Sequence, residues 1–138
     1  MSDLSFSGMH FFVRDVAAAT AFYERIGFKV ESTSDHFARV AIPGGMTFEF
    51  GSYRLTRGYD PAFREPAGAP SNALQFSLAS REAVDALYAE LTGAGYEGRL
   101  APFDAFWGSR YMEVCDPDGN VIGVHSPRDN AMASRPQI

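Results

Sequence analysis

Residues 116–125 read DPDGNVIGVH and contain the turn that fixes the register of the chain. Pro117 presets φ for the second position of a turn, and Gly119 can adopt the positive φ that a following bulge requires. The chain is therefore predicted to reverse direction here. The segment after the turn is short and β-prone, so it is predicted to be a strand. One face of this strand carries Val121, Gly123 and His125.

The rest of the sequence repeats one order of elements. Alternating and helical hydrophobic patterns predict βαβββ in residues 5–52 and again in residues 71–126. A capping residue precedes each predicted helix, Asp15 in the first module and Ser80 in the second, and glycines follow it. The repeat predicts two modules of the same topology.

The segment between the modules is rich in Gly, Pro and Arg. Residues 53–70 are predicted to link the modules within a single domain of residues 1–138, and residues 127–138 are predicted to be a loose tail. The linker contains Tyr53, Tyr59 and Phe63. These rings fit a segment that packs over a pocket mouth or a partner subunit, or a surface loop that packs on itself.

The composition excludes several classes of partner. The net charge is −5 at pH 7 and no basic run occurs, which argues against nucleic acid. No apolar run approaches the roughly 20 residues of a membrane helix, so we expect a cytoplasmic protein without a membrane partner. Cys115 is the single cysteine, has no internal disulfide partner, and lies beside Asp116, which disfavours a thiolate nucleophile.

Strand alternation divides the predicted strands into two faces. One face is apolar and is predicted to pack under the helices. It contains Met9, Phe11 and Val13; Met46, Phe48 and Phe50; Leu74, Phe76 and Leu78; and Ile122 and Val124. The other face is mixed and small, which predicts an α+β fold whose two βαβββ modules form a half-open, cup-shaped mixed sheet with the helices outside. The polar residues of the cup are His10, Glu49, Gln75 and His125, and Phe12 and Thr47 lie on the same face.

Aromatic residues precede the penultimate strand. Phe106 and Trp107, near Phe103, could line the cup and stack on a planar ligand, or pack against the core. On the strand itself, Arg110, Met112 and Val114 alternate with Tyr111 and Glu113. One of these two sets could face the cup, and a solvated strand face is the favoured interpretation.

The chain resembles the vicinal oxygen chelate superfamily, which includes glyoxalases, bleomycin-resistance proteins and ring-cleaving dioxygenases. The resemblance covers about residues 5 to 126. It is carried by VRD at 13–15, AFY at 21–23, GF at 27–28, FWG at 106–108 and DPDGN at 116–120. It implies the glyoxalase/bleomycin-resistance/dioxygenase fold and a homodimer, with modules paired within a chain or exchanged between chains.

The resemblance also implies where catalytic relatives bind a divalent metal. The four ligand positions fall on Gly8, Glu49, Ala73 and Gly123, so three of the four lack a donor. A lone carboxylate does not hold a divalent ion. We therefore expect no metal at the usual site and assign no cofactor.

Three functional hypotheses remain open. In the first, the protein binds a cationic or aromatic small molecule in the cup without metal, as in the bleomycin-resistance branch. In the second, His10, Glu49 and His125 form a shifted metal site of a lyase, isomerase or dioxygenase, since each histidine lies two residues beyond a missing ligand on the same face. In the third, the cup has lost its function and the protein is an interaction module.

Overall fold

A computed structural model of the protein describes residues 3–138, apart from the side chains of residues 32 and 33. Met1 and Ser2, with which the predicted domain of 1–138 begins, lie outside the described residues. The chain divides into two compact units, the first ending at Gly68 and the second beginning at Ala69. This division falls inside the segment 53–70.

The first unit contains a four-stranded open sheet with the strand order β1-β4-β3-β2. Strand β1 runs parallel to β4, and the other neighbours are antiparallel. The elements are β1 (Gly8–Val13), α1 (Val16–Arg25), β2 (Val30–Ser34), β3 (Phe37–Ala41), β4 (Thr47–Ser52) and α2 (Tyr53–Tyr59).

The second unit repeats this topology, with the strand order β5-β8-β7-β6. Strand β5 is parallel to β8, and the remaining pairs are antiparallel. The elements are β5 (Ala73–Ser77), α3 (Arg81–Gly93), β6 (Gly98–Asp104), β7 (Arg110–Cys115), β8 (Val121–His125) and a 3₁₀ turn (Asn130–Met132). The predicted α+β class and the βαβββ order of both modules are confirmed.

Helices α1 and α3 begin where the sequence predicts. Asp15 accepts hydrogen bonds from the backbone N–H groups of Ala17 (2.9 Å) and Ala18 (3.2 Å), and Ser80 accepts one from Ala83 (3.1 Å). These bonds satisfy N–H groups that have no partner inside the helix. No helix in the described part of the chain is long and apolar enough to cross a membrane.

Helix α1 packs on one face of the first sheet. The Tyr23 ring stacks on Phe50 with centroids 4.9 Å apart, and Phe50 in turn stacks on Phe11. The predicted core residues Met9 and Met46 are instead 38% and 37% exposed. Met9 lies near the start of β1, and Met46 immediately precedes β4.

Helix α3 packs in the same way in the second unit. Its buried residues are Val84 and Leu91, and the sheet contributes buried residues from β7 and β8. These are Met112, Val114, Ile122 and Val124. In both units the residues of opposite strand parity therefore lie on the sheet face away from α1 or α3, which we call the helix-free face. In the first unit α2 reaches the edge of this face, where Leu55 lies near Gly51.

The turn between β7 and β8 is held by one buried carboxylate. Asp116 is 5% exposed, and its Oδ1 accepts hydrogen bonds from the backbone N–H groups of Asp118 and Asn120, both at 2.9 Å. Its Oδ2 accepts one from the Asn120 amide at 2.8 Å. Gly119 has φ +84°, the conformation that the sequence predicts there.

The segment 53–70 contains a helix that the sequence pattern did not predict. Ser52 caps α2 through the backbone N–H of Leu55 at 3.0 Å. Tyr53 is buried, and Phe63 lies 5.5 Å from both the Tyr53 ring and the Phe12 ring. The segment therefore packs in part on itself, through Tyr53 and Phe63, and in part on Phe12 of β1.

Candidate functional site

A row of three polar side chains crosses the helix-free face of the first sheet. His10 on β1 and Arg39 on β3 both pair in register with Glu49 on β4. Arg39 donates to Glu49 Oε2 from Nε at 3.3 Å and from Nη2 at 3.2 Å. His10 Nδ1 lies 3.4 Å from Glu49 Oε1. We call these residues the first polar row.

The His10 ring occupies space that a glycine leaves. A Cβ atom on Gly51 would lie 2.7 Å from His10 Nε2. This nitrogen is buried and has no hydrogen-bond partner among the described residues. Phe12 lies next along β1, with its ring 5.4 Å from the His10 ring. The row is thus bordered by an aromatic side chain that is 41% exposed.

A second row of polar side chains crosses the helix-free face of the second sheet. Gln75 on β5 and Glu113 on β7 both pair in register with Gly123 on β8. The Tyr111 hydroxyl bridges them, since it accepts a hydrogen bond from Gln75 Nε2 at 3.2 Å and donates one to Glu113 Oε2 at 2.7 Å. Arg99 Nε donates to Glu113 Oε1 at 3.1 Å. We call Gln75, Tyr111, Glu113 and Arg99 the second polar row.

The second polar row fills the space beside Gly123. A Cβ atom there would overlap the Tyr111 hydroxyl and would lie 2.6 Å from Gln75 Nε2. The favoured interpretation of this strand as solvated is therefore wrong for Tyr111, which is 7% exposed and lies with Glu113 on the face of Gln75, the alternative that the sequence left open. The cause is the missing side chain at position 123, since the phenol lies over the glycine and reaches both polar neighbours.

The environment of Tyr111 changes its acidity. Burial raises the pKa of the Tyr111 phenol, the hydrogen bond from Gln75 lowers it, and Glu113 raises it further. The net direction is upward. The neutral phenol is therefore the favoured form in the folded protein.

We predict that a difference titration will detect this shift. Tyrosinate absorbance of the wild type minus that of Tyr111→Phe should show one phenol that ionises above the ordinary value of about 10. Because the folded pKa is raised, the stabilisation from this group is complete below that ordinary value and declines as the pH rises through the folded pKa. A difference curve with its midpoint at or below the ordinary value would contradict the burial of the phenol and its contact with Glu113.

Aromatic side chains border the second polar row. The Tyr111 ring lies 5.2 Å from Trp107 and 6.0 Å from Phe103, and Trp107 lies 5.1 Å from Phe106. Phe103 and Phe106 are 40% and 45% exposed. Trp107 thus contacts the polar row on one side while the two phenylalanines leave apolar surface open.

The remaining predicted residues lie close to these rows. His125 ends β8, and its Nε2 lies 3.1 Å from the Ser77 hydroxyl. Thr47 begins β4 in register with Gly8. The structure thus brings together His10 and Glu49, with Phe12 beside them, whereas His125 belongs to the second unit with Gln75 and Trp107. Contact of these residues with a ligand stays a prediction.

Three charged residues of the rows were absent from the predicted site: Arg39, Arg99 and Glu113. Cross-strand pairing is the signal that identifies Glu113, because counting back through the DPDGN turn places it opposite Gly123. Arg39 follows from the hairpin of β3 and β4 in the same way. Arg99 has no such signal, since register shifts interrupt the pairing of β6 with β7.

The metal positions that the family resemblance implies do not fit a metal in this chain. Gly8 has φ +146°, and a Cβ atom on it would overlap the backbone carbonyl of Thr47. Ala73 has no donor atom, and the space beside Gly123 is filled. At the fourth position, the Glu49 carboxylate is paired with Arg39. Within neither unit do the described residues bring three His, Cys, Asp or Glu side chains into a metal-binding group.

Cys115 lies at the end of β7 and is buried. Burial raises the pKa of its thiol, and Glu97 raises it further. A raised pKa leaves little thiolate at neutral pH, so the environment of this cysteine is that of a structural residue.

Solved structures with the same fold were found in several bacteria. A glyoxalase/bleomycin resistance protein/dioxygenase family enzyme from Burkholderia phytofirmans PsJN is 24% identical, with a TM-score of 0.76 over 87% of this chain and 96% of that one. A glyoxalase-related enzyme from Fulvimarina pelagi is 18% identical, with a TM-score of 0.76 over 89% and 88%. A protein of unknown function from Agrobacterium tumefaciens is 26% identical, with a TM-score of 0.68 over 90% and 94%.

Sequence comparison gives the family. No curated protein sequence matches the chain significantly. The family model for the Glyoxalase/Bleomycin resistance protein/Dioxygenase superfamily matches residues 7–124, which include all the strands of both units except the last residue of β8. The chain therefore belongs to the Glyoxalase/Bleomycin resistance protein/Dioxygenase superfamily.

Proposed function

We propose that the protein binds a small organic molecule on its helix-free faces, without a metal ion at the family's ligand positions. The observation that carries this proposal is the filled space beside Gly123. Tyr111 and Gln75 occupy the volume that a ligand side chain would need, and they offer a phenol and an amide there instead. The exposed Gln75 amide can form hydrogen bonds with polar atoms of a ligand, and the Tyr111 hydroxyl holds that amide in place.

The backbone at Gly8 supports the same proposal. Its positive φ and its approach to Thr47 leave no room for a side chain of any kind. Backbone geometry as well as residue type therefore argues against a metal ligand at this position. Restoring the usual donor set would require β1 and β4 to move apart.

The aromatic borders of the two polar rows indicate the type of ligand. Phe12 lies beside His10 of the first row. In the second row, Phe103 contacts Tyr111, and Phe106 contacts Trp107, which packs on Tyr111. Exposed rings beside fixed polar groups suit a molecule with a flat apolar part and a few hydrogen-bonding atoms. We therefore propose a planar or aromatic ligand.

Ligand binding by protein treated with a chelator tests the proposal. A screen of aromatic fragments by ligand-observed NMR should find compounds that bind without added metal. Among those that contact Tyr111, Tyr111→Phe should weaken affinity about fivefold, since a hydrogen bond contributes about 1 kcal/mol. Tyr59→Phe is the matched control, because Tyr59 is exposed on α2. Binding that appears only after a divalent metal is added would overturn the proposal.

The shifted metal site remains a second candidate. It is favoured by the approach of His10 Nδ1 to Glu49 Oε1 at 3.4 Å. It is disfavoured by Arg39, whose guanidinium would have to release Glu49 before that carboxylate could bind a cation. This candidate requires a stoichiometric metal ion that is lost on replacement of His10, Glu49 or His125.

We also propose that the protein forms a homodimer, as the family resemblance implies. Each sheet is open, with β1 and β2 at the edges of one and β5 and β6 at the edges of the other. Open edges present unpaired backbone groups that another copy of the chain can cover. Light scattering coupled to gel filtration tests this, and a monomer mass at micromolar concentration would contradict it.

A further inference from the structure

An open cavity of about 440 Å³ lies in the second unit, beside the carboxyl end of β8. This volume falls within the range of small-molecule sites and suits a single ring with a substituent. Its lining combines one large aromatic ring with hydroxyl, imidazole and guanidinium groups. The lining residues are Ser77, Leu78, Trp107, Ser109, His125, Ser126, Pro127 and Arg128.

The charge of this lining differs from that of the whole chain. The protein has a net charge of −5, yet no lining residue of the cavity is acidic, and Arg128 contributes a guanidinium. A second cavity of similar volume, in the first unit, shows the opposite pattern. It is lined by Asp15, Glu24 and Asp35 and by no basic residue. The cavity at β8 is thus the one of these two that suits an anion.

Two acidic residues that precede or follow the lining residues in the sequence lie outside the lining and have hydrogen-bond partners of their own. Asp104 receives hydrogen bonds from both Arg81 and Arg110, the latter at 3.2 Å, and the Arg81 bond holds its pKa below the ordinary value. Asp129 accepts a hydrogen bond from the backbone N–H of Ala131 at 3.0 Å. Arg128 forms no ion pair with any residue that the structure describes. Its charge is therefore available to a ligand.

The other lining groups fit a flat ring that carries the anion. Trp107 offers a ring surface, and its indole already packs edge-on against Tyr111, which fixes its plane. The Ser77 hydroxyl and the His125 imidazole, 3.1 Å apart, add hydrogen-bonding groups on the same wall. A carboxylate accepts such bonds together with those of a guanidinium.

We infer that this cavity binds a small aromatic carboxylate, with the ring against Trp107 and the carboxylate at Arg128. The inference rests on the proposed function, because Trp107 and His125 belong to the surface proposed to contact the ligand. It adds that the ligand is an anion, whereas the acidity of the sequence suggested a cation.

Fluorescence offers a direct test, because Trp107 is the only tryptophan in the sequence. Benzoate added to the full chain should change the Trp107 emission saturably. Benzamide, which has the same shape and no charge, should bind at least about tenfold more weakly, since loss of a charged hydrogen bond costs about 1.5 kcal/mol or more. Added sodium chloride should weaken benzoate binding.

Matched arginine variants locate the anion. Arg128→Gln should reduce benzoate affinity about tenfold, whereas Arg135→Gln, which removes the same charge from the exposed tail, should leave it unchanged. Equal binding of benzoate and benzamide, or no effect of Arg128→Gln, would overturn the inferred charge while leaving a neutral aromatic ligand in place. No emission change with either probe would overturn the cavity itself. The Tyr111-dependent binding proposed above is measured separately by NMR, so the two failures are distinguishable.

Discussion

We expect Gly8→Ala to lower the free energy of unfolding by about 2 to 4 kcal/mol, from backbone strain of about 1–3 kcal/mol and the disturbance of backbone hydrogen bonds. Gly8 has φ +146°, and the added Cβ would overlap the Thr47 carbonyl oxygen and lie 2.8 Å from the Thr47 nitrogen. That nitrogen donates to the Ser7 carbonyl at 3.0 Å. The backbone on both sides would have to move, because no flexible side chain is available to yield.

Gly45→Ala separates the cost of the positive φ from the cost of the steric overlap with Thr47. Gly45 also has a positive φ, +95°, but an added Cβ would meet no atom within 4 Å. It should therefore show only the conformational cost of about 1–2 kcal/mol. Urea denaturation of both variants gives the comparison. Equal losses in the two would show that Gly8 is not crowded by Thr47, and would remove the backbone argument against a ligand at this position.

Asp116→Ala should cost about 2 to 3 kcal/mol, since it leaves two backbone N–H groups and one side-chain amide without their charged acceptor. The carboxylate accepts from Asp118 and from both nitrogens of Asn120, and it is 5% exposed. Loss of the turn would also loosen the pairing of β7 with β8, which sets Glu113 and Tyr111 against Gly123 and His125. The variant should therefore bind ligands more weakly as well as unfold more easily.

Asp116→Asn provides the control for charge. The amide keeps one oxygen that can accept from the backbone, so the loss should be smaller than for alanine. Thermal and urea unfolding of the three proteins should rank wild type, Asp116→Asn and Asp116→Ala in that order. An alanine variant as stable as the wild type would mean that Pro117 and Gly119 hold the turn without the carboxylate.

The sequence predicts the fold because its turns and caps use residues with narrow conformational preferences. Asp15 and Ser80 begin the helices, and Gly119 adopts the positive φ of the DPDGN turn. The strand alternation then places His10 and Glu49 on one face, and the pairing of β1 with β4 puts them side by side. These features depend on short stretches of chain, so they can be predicted from a single sequence.

Which side chains form the two polar rows is harder to predict, because this depends on packing between neighbouring strands. A tyrosine on a strand of mixed residues fits a solvated face, and only the empty space above Gly123 explains why Tyr111 is buried. Arg39 and Arg99 are long side chains whose partners lie on neighbouring strands. Helix α2 was missed because it is short, spans Tyr53–Tyr59 and includes Gly58.

Metal retention tests the central claim most directly. The protein is purified without chelator, incubated with zinc, manganese or ferrous ions, passed through gel filtration and assayed for metal by mass spectrometry. Since three of the four family positions lack donors and Glu49 is paired with Arg39, we predict no stoichiometric metal in the wild type. Stoichiometric metal that is retained by the wild type and lost on Glu49→Gln, His10→Gln or His125→Gln would contradict the account and establish the shifted site.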